Sequence, residues 1–310
     1  MIAPVAFLFP GQLSEFIGMG RDFYEADPEA RRLYREASQR SGRDLERILF
    51  EGPEEDLHEN LAAQAGVYLV STLACRALAE RGIRPAATAG YSLGNYAAFV
   101  AAGAVSFEEG LEVLIAVWRE TERLSISGAM GAVIGARREV VEETCAALRD
   151  RGHPVWIGNV NSSTQFVLTG EATAVREALA ALGPKALSVL PLSMRWPIHS
   201  ELMGPVARAV GPVVEACRTI RDPEVPFHGP DGKVVERGEG IRKLLATEFL
   251  YPTLWNATFE SMVAAGFRTF LEVGPGEMLG RISRWIDRTV KVHRAGTLEE
   301  IAGVAGILRA

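Results

Sequence analysis

The stretch Ala86-Ala87-Thr88-Ala89-Gly90-Tyr91-Ser92-Leu93-Gly94-Asn95-Tyr96 decides how the chain is read. Pro85 precedes four small residues, Ala86 to Ala89, that suit a buried strand, and Asn95 to Gly103 follows as an Ala-rich helical run. Between them stands Gly90-x-Ser92-x-Gly94, the pattern of a nucleophile elbow, where a sharp strand-to-helix turn lifts a Ser hydroxyl clear of the sheet. Gly on either side lets backbones approach where a Cβ would clash. The helix start behind Ser92 presents N–H groups without intrahelical acceptors, which suit a developing oxyanion. The same pattern can occur in a loop by accident; the strand before it and the helix after it favour the elbow.

A Ser hydroxyl is a weak nucleophile until a base takes its proton. The chain has five histidines. His58 lies in an acidic helical stretch, His153 follows a charged helix, and His228 and His293 are expected in polar surroundings. His199 differs, because it sits in Trp196-Pro197-Ile198-His199-Ser200, a turn before a helix. A lone His in apolar company is more often structural, so the residues alone leave the base open.

Outward from the elbow, Pro4 to Phe9 reads as an apolar strand ended by Pro10-Gly11. Helical segments are expected from Arg21 to Ser41, Gln64 to Arg81 and Phe107 to Glu122, the second carrying Val67, Leu69, Val70 and Leu73 near helical spacing. From Met130 to Leu190 the rhythm changes to strand, helix, strand, strand, helix, strand, the order of a ferredoxin-like unit. The expected fold is therefore α/β, with a large α/β-hydrolase-like subdomain (1–127 plus 196–310) and an inserted ferredoxin-like subdomain (128–195). In the returning part, Leu202 to Cys217 and Tyr251 to Ala265 read as helices, and Arg268 to Val273 as a strand ending in Gly274-Pro275-Gly276. The tail from Ile282 mixes short signals.

Composition narrows the classes. The chain has 310 residues, 48% hydrophobic, with a formal net charge of -6. That is enough apolar material for one large or two fused domains, and the acidic balance disfavours a nucleic-acid binder. No basic leader opens the sequence, and no stretch reads as a membrane span, the uncharged run from Pro85 to Phe107 being broken by Gly, Ser and Asn. Cys75, Cys145 and Cys217 lack metal-like spacing and fit reduced thiols, so a cytoplasmic protein without a metal or redox cofactor is expected.

Several segments together resemble the malonyl-CoA:acyl carrier protein transacylase family, which includes acyltransferases of fatty acid and polyketide synthesis. Phe9-Pro10-Gly11-Gln12 resembles its FPGQGSQ, and Gly90 to Tyr96 its GHSLGEY. Gly128-Ala129-Met130 resembles the start of its ferredoxin-like subdomain, and Asn159 to Gly170 its N-S-P-x-Q-x-V-x-x-G. Ile198 to Met203 resembles FHSPLM, and Glu272 to Gly276 matches EVGPG. The resemblance implies an acyl-Ser intermediate on Ser92, His199 as base held by a backbone carbonyl, and an oxyanion hole from the N–H groups of Gln12 and Leu93. It implies ping-pong transfer from a CoA or carrier-protein thioester to an acyl carrier protein, with CoA or phosphopantetheine as substrate and no cofactor.

The departures from the family bear on specificity. Malonyl users carry an Arg in the helix after the nucleophile, which pairs with the free carboxylate; here that position is Val117. Arg119 lies two residues on, about 200° around a helix. Leu254 replaces a frequent Gln or Arg before the Trp of N-P-V-x-W, Ile198 replaces Phe, Tyr91 replaces His, Asn95 replaces Glu, and Leu13-Ser14-Glu15 replaces the end of FPGQGSQ. The expected acyl pocket, formed by Tyr91, Val117, Ile198, Leu254 and Trp196, is apolar and uncharged. It suits a non-carboxylated acyl group such as acetyl, longer alkanoyl, aryl, or a ready-made acyl or aminoacyl unit. Alternatives are an acyl hydrolase that clears carriers, a malonyl transferase with a displaced Arg, and a silent docking subunit, which intact Ser92 and His199 disfavour. Arg281, Arg284 and Arg288, with Lys291 and Arg294, are a candidate contact for an acidic carrier or simply a solvated face. A monomer is expected.

Overall fold

The computed structural model describes residues 4–309. Its strands are β1 (Val5–Phe9), β2 (Ala87–Gly90), β3 (Ala129–Ile134), β4 (Val155–Ser162), β5 (Gln165–Gly170), β6 (Ser188–Pro191), β7 (Phe227–His228), β8 (Val234–Val235), β9 (Thr269–Glu272) and β10 (Lys291–Arg294). They form a six-stranded sheet ordered β10-β9-β1-β2-β7-β8 and a four-stranded sheet ordered β4-β5-β3-β6.

The larger sheet is parallel except for β8, which runs antiparallel to β7. Its central strand β1 is buried along its whole length, as an unbroken apolar run must be when helices cover both faces. One of those helices, Asn60–Glu80, is long and apolar enough to cross a membrane by composition, yet it lies almost wholly inside the core. Phe9 of β1 stands opposite Gly90 of β2. That register places Pro10 to Leu13 beside the elbow at the carboxyl edge of the sheet, where α/β folds put their ligands. The contact is tight: a Cβ on Gly94 would lie 2.1 Å from the Phe9 carbonyl oxygen.

The smaller sheet is antiparallel, and its strands and two helices span Ala129–Pro191. Its strand order and connectivity are those of a ferredoxin-like unit. Side chains alternate along its strands. Val133, Phe166 and Leu168 face the helices Arg138–Arg149 and Ala172–Leu182, burying Val141, Cys145, Leu148, Val175 and Leu182 with them. Met130 and Val167 point to the opposite face, toward the large subdomain.

Some elements differ from the sequence expectations. The helix expected from Tyr251 begins at Trp255. Pro252 and Thr253 are instead extended, because Thr253 N–H donates to the Gly158 carbonyl and the Thr253 carbonyl accepts from Val160 N–H, both at 2.9 Å. These bonds stitch the two subdomains together. The helices Leu45–Glu51 and Gly238–Thr247 and the two-residue strands β7 and β8 are additional to the expected elements, and the acidic helical stretch expected around His58 is the single turn Glu54–Leu57, which His58 ends. The tail resolves into the helix Met278–Ser283, strand β10 and the helix Leu298–Arg309.

Candidate active site

Ser92 occupies the elbow with a left-handed φ of 52°, and His199 is left-handed too, at 65°. Each such conformation costs a non-Gly residue about 1–3 kcal/mol, which the surrounding structure must offset. Ser92 Oγ lies 2.7 Å from His199 Nε2. The other ring nitrogen, Nδ1, lies 2.9 Å from the Tyr251 carbonyl oxygen. A carbonyl only accepts, so Nδ1 carries the proton and Nε2 turns its lone pair to the Ser92 hydroxyl. No side-chain carboxylate bonds the ring among the described residues.

Both subdomains hold this imidazole. His199 N–H donates to the Phe249 carbonyl at 2.8 Å, and the Thr169 hydroxyl, from β5, donates to the Ile198 carbonyl at 2.7 Å. Burial pulls the His199 pKa down to about 4, against the opposing pull of the Tyr251 and Glu248 carbonyls. The ring is therefore neutral near pH 7, as a base must be before it accepts a proton.

The loop after β1, expected to carry the oxyanion hole, keeps its turn with Leu13 where the resembling family has glycine. Leu13 adopts a φ of 73°, and its N–H donates to the Glu15 carboxylate at 2.7 Å. Glu15 also meets His58 Nδ1 at 3.3 Å, and the Ser14 hydroxyl donates to the Gly11 carbonyl at 2.6 Å. Gln12 is anchored through its side chain to Asn60 and Gln64. Gln12 and Leu93 both line the cavity that contains Ser92.

That cavity has a volume of about 90 Å³. Tyr91, Val117 and Ile198 line it as the sequence suggested, joined by Leu114, Met130, Val167 and Phe249. Two of the expected pocket residues do not. Leu254 packs against the core of the small subdomain and lines a separate cleft behind His199. Trp196 is buried beside a third groove with Arg43 and Trp118. His228, expected in polar surroundings, is buried, hydrogen-bonded to Ser261 at 2.7 Å and set edge-on to Phe267.

The cavity is not uncharged. Glu248, 5% exposed, lines it and accepts a hydrogen bond from Asn95 Nδ2 at 3.2 Å. Burial pushes its carboxyl up to about 7, opposed by the Asn95 bond. No Arg or Lys lines the cavity; Arg119 is exposed on the far side of its helix. Glu248, Gln64 and Asn159 are site residues that sequence reasoning missed, and nothing local in Thr247-Glu248-Phe249 signals a buried acid.

The basic residues lie outside this cavity. Arg281 pairs with Glu277 and Arg294 with Glu300, whereas Arg284 and Arg288 are exposed and have no ion pair among the described residues.

Comparison with known proteins adds a family. A model described as "Acyl transferase domain" matches residues 6–303. The malonyl CoA-acyl carrier protein transacylase of Bacillus subtilis (strain 168) is 34% identical over 308 residues, covering 97% of this chain and 96% of that protein. Its namesake from Escherichia coli (strain K12) is 32% identical over 310 residues, covering 98% of each. Among solved structures, a malonyl-transacylase in complex with its type II PKS acyl-carrier protein superposes with a TM-score of 0.92 at 30% identity, covering 98% of this chain and 100% of that one. Matches of this extent, over a chain with the elbow, the Ser92–His199 pair and the subdomain insertion described above, show that it belongs to the acyl transferase domain family.

Proposed function

We infer that the protein transfers a non-carboxylated acyl group from a CoA or carrier-protein thioester, through Ser92, to an acyl carrier protein. The observation that carries this reading is the cavity: it joins Ser92 and His199 to an apolar wall with Val117, holds no Arg or Lys, and contains a buried Glu.

The geometry supports a two-step reaction. Ser92 Oγ attacks the thioester carbonyl as His199 Nε2 takes its proton. The N–H groups of Gln12 and Leu93 stabilise the oxyanion. The tetrahedral intermediate collapses, the thiol leaves with the proton from His199, and the acyl group remains on Ser92. An incoming phosphopantetheine thiol then gives its proton to His199 and reverses the sequence. The relatives named above are malonyl transacylases, and their malonyl group carries a carboxylate. In this cavity such a group meets no cation and faces Glu248. An unpaired buried carboxylate costs several kcal/mol. The docking face for the carrier is assigned to Arg284 and Arg288, exposed cations without an ion pair among the described residues, in the segment that follows Gly276, itself packed on the oxyanion loop.

The test is competitive loading. The protein is mixed with equimolar malonyl-CoA, acetyl-CoA and butyryl-CoA, and with the same groups on a holo-carrier protein, and its intact mass is read. Acetyl or butyryl adducts are expected to dominate; a dominant malonyl adduct would overturn the reading.

A further inference from the structure

We propose that Glu248 is a specificity residue that selects acyl groups bearing an amine, so that the physiological acyl group is a short aminoacyl unit. The proposal rests on the reading of function above and names the chemistry of its substrate.

The argument starts from an acid that the fold buries without a cation. Glu248 takes part in no ion pair among the described residues, and its one side-chain partner is Asn95 Nδ2, on Oε2. The second oxygen has no protein partner among the described residues and is not fully enclosed, so it keeps a surface toward the cavity its residue lines. Asn95 Oδ1, by contrast, is enclosed and unpartnered. Of the two side chains, only Glu248 therefore presents a free acceptor to the cavity. A carboxylate in this setting is stabilised most by a charge-assisted hydrogen bond from an ammonium. The raised pKa of Glu248 fits a group that awaits such a partner.

The rest of the cavity suits the stem of such a group. Val117, Leu114, Met130 and Phe249 would cover methylenes. With a volume of about 90 Å³, the cavity suits a short chain.

Four thioesters of nearly equal size separate the possibilities: butyryl, 3-aminopropanoyl, 3-hydroxypropanoyl and malonyl, each as a CoA ester and on a holo-carrier protein. Initial acylation rates are read from thiol release and from the mass of the intact protein. The wild type is expected to load 3-aminopropanoyl at least about tenfold faster than butyryl or 3-hydroxypropanoyl, the difference a charge-assisted pair makes. Glu248→Gln retains an acceptor for Asn95 and is expected to shrink that ratio by at least about tenfold. Butyryl or 3-hydroxypropanoyl loading as fast as 3-aminopropanoyl in the wild type overturns the amine assignment while leaving the non-carboxylated reading intact. Malonyl loading fastest overturns both. A preference for the amine that survives Glu248→Gln removes Glu248 from the role. The wild-type ratios decide the matter even if the variant folds poorly.

Discussion

Ser92 and His199 meet at 2.7 Å while both hold left-handed backbones, so each side chain of the pair is set by a strained turn. Ser92 is fixed by the register of β1 and β2, and His199 by carbonyls from the segment Phe249 to Tyr251. Because burial lowers the His199 pKa from 6.5 to about 4, the ring is neutral above that value. In Glu248→Gln, which lacks the cavity carboxyl that burial pushes up to about 7, and with butyryl-CoA as donor, the acylation rate is expected to stay level as pH falls through 6.5 and to drop only toward pH 4. A stopped-flow pH profile with its half-point near 6.5 would contradict this.

Thr169 tests whether the small subdomain positions the base. Its buried hydroxyl donates to the Ile198 carbonyl next to His199. Thr169→Val would leave that carbonyl without its partner, at a cost of about 1–3 kcal/mol. It is expected to lower kcat more than it raises KM, and Thr169→Ser is expected to restore much of the loss. Equal rates for Val and wild type would show that the hydroxyl does not hold the loop.

Leu13 allows a test of strain alone. Gly is ordinarily less stabilising than Ala by about 0.5–1 kcal/mol in regular structure, but a left-handed conformation penalises any Cβ by about 1–2 kcal/mol. Leu13→Gly is therefore expected to be more stable than Leu13→Ala in urea unfolding. The opposite order would mean that the loop does not hold Leu13 at its φ of 73°.

Val117 and Glu248 share one small cavity, so their substitutions are coupled. An Arg at position 117 would be drawn to the Glu248 carboxylate before any substrate arrived. Val117→Arg alone is expected to recover little malonyl loading, and Val117→Arg combined with Glu248→Gln clearly more, by about tenfold for a freed charge-assisted pair. Equal malonyl rates in the single and double variants would argue that the two residues do not interact.

The elbow was legible because its requirements are local: a strand, two glycines and a helix start lie within a dozen residues. The alternation of the small subdomain was legible for the same reason, since Val133, Phe166 and Leu168 obey a period of two. The walls of the cavity were harder to read. Leu254 and Trp196 flank the site in sequence, but which side of the base they face depends on the bridge between Thr253 and Asn159, a contact across subdomains. Glu248 carries no periodic or motif signal; only the fold brings it against Asn95. Strands β7 and β8 are two residues each, too short to show a pattern.

The central claim is that the acyl group travels on Ser92. The most direct measurement is intact-protein mass spectrometry with peptide mapping after exposure to acyl thioesters, for the wild type and Ser92→Ala. The account predicts a single acyl mass on the peptide containing Ser92 in the wild type, and no adduct with Ser92→Ala. An adduct that persists in Ser92→Ala, or one that maps to another residue in the wild type, would contradict it.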